Sequence, residues 1–303
     1  MAMKAIVVGG GIAGLASAIG LRERGWDVEV LERAPAFTEV GAGLSLWPDA
    51  LNALDAIGVG AIVRERSVLD GSTGIRDEHG RWLSRTDVAA IRERFGHLAL
   101  VHRATLLDIL RSALPPESLK AGVTVSDVSA DGVVESTDGE LRGDLVVGAD
   151  GLHSTVRQAV WADSPLPRYA GYTAWRFVTP RPVDVGPGGE SWGHGERFGY
   201  ATLSDGRVYC FATANVDEGT DGADLATLRD RFADWHDPVP KLAERGRRGR
   251  SPAPRPLRPP APAHLRRGSG SPGRRCRARD DSQPRPGRLP GPRGRCHPRP
   301  LRH

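Results

Sequence analysis

Three glycines and one carboxylate near the N-terminus have the spacing of a site for a nucleotide diphosphate. The run from Val7 to Gly14 reads VVGGGIAG and contains Gly9, Gly11 and Gly14. In such a run the first glycine permits a tight turn, the second lets backbone approach a pyrophosphate, and the third lets a helix pack on a strand. Glu32 follows eighteen residues after Gly14, where its carboxylate can accept hydrogen bonds from both ribose hydroxyls.

The elements around this run predict a β-α-β unit, which favours nucleotide binding over a merely structural glycine turn. Ala5–Val8 is a short apolar run that predicts a buried strand, and Asp27–Leu31 alternates like a second strand. Ile12–Arg24 has a helical apolar pattern that Gly25 ends.

The start of that helix and the residue after Glu32 extend the predicted site. The amides of Ile12 and Ala13 belong to a helix N-terminus, which attracts anions. Arg33 is a cation placed near the adenine or the phosphates, although a surface ion pair with Glu32 is the alternative.

Further along, alternating apolar and polar residues predict more strands and helices. Helical periodicity marks Pro48–Ile57, Ala104–Leu114, a start beyond Ser154, and Ala223–Trp235. Predicted strands form a small antiparallel excursion (Ser72–Arg76, Trp82–Ser84), a group of three (Val123–Val128, Gly132–Ser136, Leu141–Val147) and a second sheet (Thr173–Val178, Phe198–Leu203, Arg207–Thr213).

Charge divides the 303-residue chain into two kinds of polymer. Residues 1–240 hold 23 Lys+Arg and 34 Asp+Glu, whereas residues 241–303 hold 19 and 3, with 13 of the 24 prolines. The second segment contains no Val, Ile, Phe, Tyr, Trp or Met, so it cannot bury enough apolar surface to offset its ordering entropy. We therefore expect a disordered basic tail at 241–303.

Cysteine and hydropathy patterns exclude two further classes of protein. Three cysteines cannot form a disulfide framework, which indicates a reducing, cytoplasmic environment. No run of eighteen apolar residues is present, so no membrane span is expected. The nine histidines lack metal-ligand spacing, so no metal site is predicted.

Residues 1–240 resemble the FAD-dependent aromatic-ring monooxygenases, the group of hydroxybenzoate and salicylate hydroxylases and zeaxanthin epoxidase. Four segments carry the resemblance in the family's order: GGGIAGL with Leu31-Glu32-Arg33, GAGLSLWPDA (41–50), VHRATLL (101–107) and LVVGADGLHSTVR (145–157). The last segment discriminates most, because simple NAD dehydrogenases lack it.

The resemblance implies roles for individual residues. It implies that Arg103 contacts the flavin nucleotide, that Asp150 and Gly151 serve the FAD pyrophosphate and a nicotinamide cofactor, and that the Val128 backbone touches adenine. The structural alternatives are a salt bridge at a helix N-terminus for Arg103 and a turn at the end of a strand for Asp150. Tyr172, Trp175 and Arg176 lie on the strand that faces the flavin in this family, where an aromatic residue serves equally as core or as substrate wall.

The implied fold is α/β: a three-layer Rossmann-like FAD-binding domain with an inserted antiparallel β-sheet substrate domain. We expect the first at 1–70 and 97–165 and the second at 71–96 and 166–240. The implied reaction uses FAD, NADH or NADPH, and O₂ to hydroxylate or epoxidise a small aromatic or conjugated substrate. The protein supplies binding, orientation and water exclusion, so no acid–base residue is assigned.

The family's third motif, Gly-Asp-Ala-Ala-His followed by Pro and a Gly-Gln-Gly helix start, is not readable in the tail. With CGN codons for arginine and a one-base shift, however, Arg274–Cys296 permits GDAAHAM, then Thr or Ile, then PNLGQG. We infer a frame shift between about Pro240 and Arg250, and we expect the chain's activity to be impaired by loss of this motif.

Two other functions remain open from the sequence. One is a flavin reductase or dehydrogenase that inserts no oxygen. The other is a nucleic-acid or polyanion binder that uses the basic tail. The tail has no interleaved aromatic residues for base stacking, so we expect no specific nucleic-acid partner.

Overall fold

A computed structural model describes residues 2–37, 42–71, 73–219 and 224–246. These described residues all belong to one compact unit. The strands are β1 (Lys4–Val8), β2 (Asp27–Glu32), β3 (Gly43–Leu46), β4 (Val68–Leu69), β5 (Gly74–Asp77), β6 (Trp82–Arg85), β7 (Ala99–His102), β8 (Leu119–Ala121), β9 (Val125–Val128), β10 (Val133–Ser136), β11 (Gly139–Arg142), β12 (Leu145–Gly148), β13 (Tyr172–Val178), β14 (Gly189–Trp192), β15 (Glu196–Thr202) and β16 (Val208–Asn215). The helices are α1 (Ile12–Arg22), α2 (Pro48–Ala56), α3 (Gly60–Glu65), α4 (Val88–Phe95), α5 (Arg103–Ser112), α6 (Thr155–Val160), α7 (Leu225–Arg231) and α8 (Val239–Arg245).

Strand β1 is the centre of a three-layer arrangement. It pairs in parallel with β12 on one side and β2 on the other, in the order β12-β1-β2-β8. Ala5 and Val7 point into a core with helices α1 and α5, whereas Ile6 and Val8 point into a second core with β9, β10 and α6. An apolar run that is buried on both faces is typical of a parallel strand. The predicted Rossmann-like domain is therefore confirmed.

A separate six-stranded sheet has the order β13-β16-β15-β14-β5-β6. Neighbouring strands are antiparallel, as expected, except for β5 and β14, which pair in parallel. The sheet is therefore mostly antiparallel. Helices α7 and α8 cover one face with a core that includes Phe198 and Phe232. The predicted domain boundaries stay a prediction.

A small sheet, β3-β7-β4, contains strands that the sequence reasoning did not predict. It pairs Gly43 with His102 and so carries the segment just before α5. Helices α3, α4 and α8 and strand β14 were also missed. Gly41, Ser72 and Ala223, which began predicted segments, lie outside the described residues, as does the tail from Arg247.

One predicted strand, Leu141–Val147, is wrong, because it is two strands in two sheets. The Gly143 amide donates to the Gly132 carbonyl (3.0 Å), which ends the pairing of β11 with β10. The Asp144 carboxylate then accepts from the Lys4 amide (2.8 Å), which starts the pairing of β12 with β1. The break depends on partners that are distant in sequence.

The helix predicted at Ala223–Trp235 is shorter than expected. Helix α7 begins after Asp224, whose carboxylate caps it by accepting from the Thr227 amide (2.8 Å), and ends at Arg231. Phe232 and Trp235 follow the helix but still pack in the core, with ring centroids 4.8 Å apart. Within the described ranges, no helix has the length and apolar character needed to cross a membrane.

Candidate functional site

The glycine-rich turn at the end of β1 is packed directly against the segment after β12. Gly9 has φ +109°, and an added Cβ there would lie 2.3 Å from the Ala149 carbonyl oxygen. A Cβ on Gly14 would lie 1.9 Å from the Gly9 carbonyl oxygen, so α1 starts in contact with the turn. The turn therefore excludes other residues at both positions, and it brings Gly9 next to the Ala149–Gly151 segment.

The N-terminus of α1 offers an open approach to an anion. Gly11 is the N-cap residue with extended backbone, and an added Cβ would meet nothing within 4 Å. The first helical hydrogen bond runs from the Leu15 amide to the Gly11 carbonyl (2.9 Å). The amides of Ile12, Ala13 and Gly14 precede this bond, as the first amides of a helix do. Such amides and the helix dipole stabilise a pyrophosphate.

Glu32 faces this turn from the end of β2. Its Oε2 accepts a hydrogen bond from the Gly10 amide (2.7 Å) and its Oε1 accepts one from the Ala34 amide (2.8 Å). Each carboxylate oxygen can accept more than one hydrogen bond, so ribose hydroxyls can share it. Arg33 is exposed beside it, and its contact with a nucleotide stays a prediction.

Asp150 has a local structural role in addition to its position near the turn. Its Oδ1 accepts from the Ser154 hydroxyl (2.5 Å) and its Oδ2 accepts from the Val156 amide (3.2 Å). Ser154 in turn caps α6 by accepting from the Arg157 amide (2.9 Å). Gly151, at φ +81°, makes the bend that allows this, so backbone of this segment lies nearest the glycine turn.

Val128 ends β9 with its side chain in the core beneath the parallel sheet. Its amide donates to the carboxylate of Asp127 (2.8 Å). A contact between its backbone and adenine stays a prediction.

Strand β13 separates the three predicted substrate residues onto two faces. Tyr172 and Arg176 share one face, and Trp175 points to the other, because strand side chains alternate. Trp175 is 6% exposed in the core with α7 and α8, and its indole N–H donates to the Asp224 carbonyl (3.0 Å). Trp175 therefore lies on the side of the sheet opposite Tyr172 and Arg176, and a contact with substrate stays a prediction.

The face of Tyr172 and Arg176, which we call the front face, meets the glycine-turn domain near β3 and α5. Burial raises the pKa of the Tyr209 hydroxyl, while the nearby positive charge of Arg176 opposes this rise, and an added Cβ on Gly43 would lie 2.5 Å from the Tyr209 ring. The Arg103 amide donates to the Ala42 carbonyl (2.8 Å). Burial and then the nearby Arg176 charge lower the pKa of the Arg103 guanidinium. Positive charge is concentrated at this junction.

The front face also carries residues that the sequence reasoning missed. A cleft of about 230 Å³ is lined by Tyr172, Trp192, Arg197 and Thr213, among others. The Arg197 Nε lies 3.4 Å from the Thr213 hydroxyl. This cleft is smaller than most pockets for small molecules, about 300–1,000 Å³. In the sequence, the alternation of strand residues and the Asp205-Gly206 turn were the signals that could have given the pairing register of β15 and β16.

Together, a parallel sheet that ends in a glycine turn and a carboxylate on the next strand define a dinucleotide-binding α/β protein. In the part of the chain that the structure describes, no group of His, Cys, Asp or Glu is arranged to hold a metal ion.

Comparison with known proteins gives the family. A family model described as an FAD binding domain matches residues 2–177, more than half of the chain. The aurachin C monooxygenase/isomerase of Stigmatella aurantiaca is 38% identical over 252 residues, which cover 79% of this chain and 64% of that protein. The FAD-dependent urate hydroxylase of Klebsiella pneumoniae is 35% identical over 256 residues, which cover 79% and 66%. The chain belongs to the FAD binding domain family.

A solved structure supports the same conclusion. Klebsiella pneumoniae HpxO, in complex with FAD and uric acid, matches with a TM-score of 0.71 and 32% identity over 80% of this chain and 65% of that one. The chain thus spans slightly less than two thirds of the length of these relatives.

FAD, the cofactor of this family, fits the residues present. The space above Gly11 admits a pyrophosphate, and the Glu32 carboxylate stands at the same turn, where a ribose would lie. Gly9, Gly11, Ile12, Ala13, Gly14 and Glu32 would hold the adenosine diphosphate half.

Proposed function

We propose that this chain comes from an FAD-dependent monooxygenase that uses NADH or NADPH and O₂ to hydroxylate or epoxidise a small aromatic or conjugated substrate in the cytoplasm. The observation that carries the proposal is the junction of the glycine-turn domain with the front face. There Tyr209 of the front face packs against Gly43 of β3, and the amide of Arg103, at the start of α5, donates to the neighbouring Ala42 carbonyl. Helix α5 shares a core with α1, the helix that begins at the glycine turn. The relatives named above, a monooxygenase/isomerase and a urate hydroxylase, support the same class.

Bound FAD supplies the redox chemistry, and the side chains of this chain bind and orient. The α1 amides would donate hydrogen bonds to the pyrophosphate, and the Glu32 carboxylate would accept hydrogen bonds from the ribose. On the front face, Tyr172 and Trp192 offer rings against which a planar substrate can lie. Arg176 and Arg197 offer guanidinium groups for a ring oxygen or carboxylate, because a planar fork of donors suits such acceptors.

Activity of the 303-residue chain itself is impaired in this proposal. Two sequence features support this: the composition of residues 241–303, and the flavin-binding motif that their shifted reading permits. A frame-restored version would regain that motif and with it tight FAD binding.

The test compares the purified chain with a version in which the reading frame is restored between codons 240 and 250. We expect the restored protein to be yellow, with one FAD per chain, and to oxidise NAD(P)H faster when an aromatic substrate is added. Stoichiometric FAD and substrate-dependent oxidation in the 303-residue chain would contradict the impairment. A restored protein with no flavin would contradict the function.

Two further measurements separate the alternatives. ¹⁸O₂ labelling of the product identifies a monooxygenase, whereas NAD(P)H consumption with unmodified aromatic substrate indicates a reductase. Retention on heparin that disappears on deletion of residues 247–303, with a preference for particular nucleic-acid sequences, would instead favour the basic-tail binder. Without such a preference, retention reflects charge alone.

A further inference from the structure

Gly10, the middle glycine of the turn, had no role in the sequence reasoning. It is buried, and an added Cβ would lie 2.4 Å from Cε1 and 2.7 Å from Cδ1 of Phe37. The same Cβ would be 2.9 Å from the Glu32 Cβ. Gly10 is therefore constrained by the space that the Phe37 ring fills and not by an unusual φ.

Phe37 is half-buried and packs against the core beside α1. Its ring lies on the residue whose amide donates to Glu32 Oε2 (2.7 Å). The Ala34 amide, three residues before Phe37, donates to the other carboxylate oxygen (2.8 Å). The stretch after β2 thus folds back onto the glycine turn, with Glu32 between them and the Phe37 ring on the Gly10 side.

We propose that Phe37 is a positioning residue for FAD, which rests on the proposed function. Its ring shields the hydrogen bond between Gly10 and Glu32 from water, because that bond strengthens when the local dielectric falls. It thereby holds the phosphate turn and the ribose carboxylate as one unit before the nucleotide arrives. Binding then costs less ordering of the protein.

The predicted signature is coupling between Gly10 and Phe37. Gly10→Ala should displace the ring, and Phe37→Ala should remove it, so each should expose the Gly10 amide. In the Phe37→Ala background the two closest contacts of the added methyl group are removed and the one with the Glu32 Cβ (2.9 Å) remains, so Gly10→Ala should have a clearly smaller effect than in the wild-type background. Phe37→Leu, which keeps apolar volume, should recover part of the protection. Such non-additivity is the mark of a direct contact.

The experiment measures hydrogen exchange of peptides covering residues 8–12 and 32–36 in the 303-residue chain, which needs no bound flavin. We expect faster exchange at the Gly10 and Ala34 amides in both single variants, and in the double variant an increase over Phe37→Ala that is clearly smaller than the increase that Gly10→Ala causes alone. Gly20→Ala, on α1 with ordinary contacts at 3.6 Å, is the matched control and should leave this exchange unchanged. ADP affinity should fall in parallel by about three- to tenfold.

Unchanged protection in Phe37→Ala would overturn the proposal, as would equal effects of Gly10→Ala in both backgrounds. A fall in melting temperature without any change in exchange or ADP affinity would also overturn it, since Phe37 would then be a core residue only. If Phe37→Ala speeds exchange and weakens ADP binding as expected but the frame-restored protein binds no flavin, the proposed function is contradicted, whereas the role of Phe37 in positioning an adenine nucleotide is supported.

Discussion

The glycine turn and the front face of the six-stranded sheet are built in different ways. At the turn, backbone amides would bind the cofactor, and an added Cβ on Gly9 or Gly14 would overlap backbone atoms. On the front face, side chains from different strands are brought together by strand pairing, such as that of Arg197 with Thr213. A site formed by backbone can be recognised in a short stretch of sequence. A site formed by side chains from several strands depends on how strands that are distant in sequence pair.

The largest loss of stability is expected for a substitution on the face of β13 that packs against α7 and α8. Trp175→Ala should lower the free energy of unfolding by about 4 kcal/mol, because it empties a core position and leaves the Asp224 carbonyl without its indole donor. Tyr172→Ala, on the front face, should cost less than about 1 kcal/mol. Urea unfolding of the two variants measures this difference. Similar losses would contradict the assignment of the faces.

A smaller loss is expected at the turn. Gly9→Ala should cost about 3 kcal/mol, since it adds strain at φ +109° to a contact 2.3 Å from the Ala149 carbonyl. Gly25→Ala is the matched control, with φ +80° and nothing within 4 Å of the added Cβ. It should cost about 1 kcal/mol from backbone strain alone. Equal losses of unfolding free energy for Gly9→Ala and Gly25→Ala in denaturant melts would show that the packing of the turn on the Ala149–Gly151 segment does not contribute to stability.

Particular residues show how much of the glycine turn and of the front face can be predicted from the sequence. Gly9, Gly11 and Glu32 were identified from local spacing, and the strand and helix around them were confirmed, because the turn's constraints lie within about 30 residues. The division of Leu141–Val147 into two strands was missed, since it depends on Gly132 and Lys4. Alternation separates Tyr172 from Trp175, but only α7 and α8 decide which face is covered.

The smallest change in stability is expected at Asp70, which precedes the segment that contributes β5 and β6 to the six-stranded sheet. Burial raises the pKa of this carboxyl, but hydrogen bonds from His97 and the Leu98 amide, with Arg92 nearby, outweigh burial and lower it. A lowered pKa means that the folded state favours the carboxylate. The stabilisation is therefore present above the unfolded pKa of about 3.9 and is lost as pH falls through the folded value.

Asp70→Asn tests this pH dependence, because Asn tolerates the positive φ of 53° at this position. Wild-type stability should fall more steeply than that of the variant as pH decreases below about 4, by less than about 1 kcal/mol. The measurement is the free energy of unfolding across that interval. Parallel pH profiles would show that Asp70 does not anchor the excursion electrostatically.

The central claim is that bare backbone at Gly11 admits the paired phosphates of an adenine dinucleotide. Titration calorimetry with ADP, the half of FAD that this turn would hold, tests it in the chain and in Gly11→Ala. An added Cβ meets no protein atom, so the unfolding free energy should stay within about 0.5 kcal/mol while ADP binding weakens about tenfold or more. Equal ADP affinity in the two proteins would contradict the account.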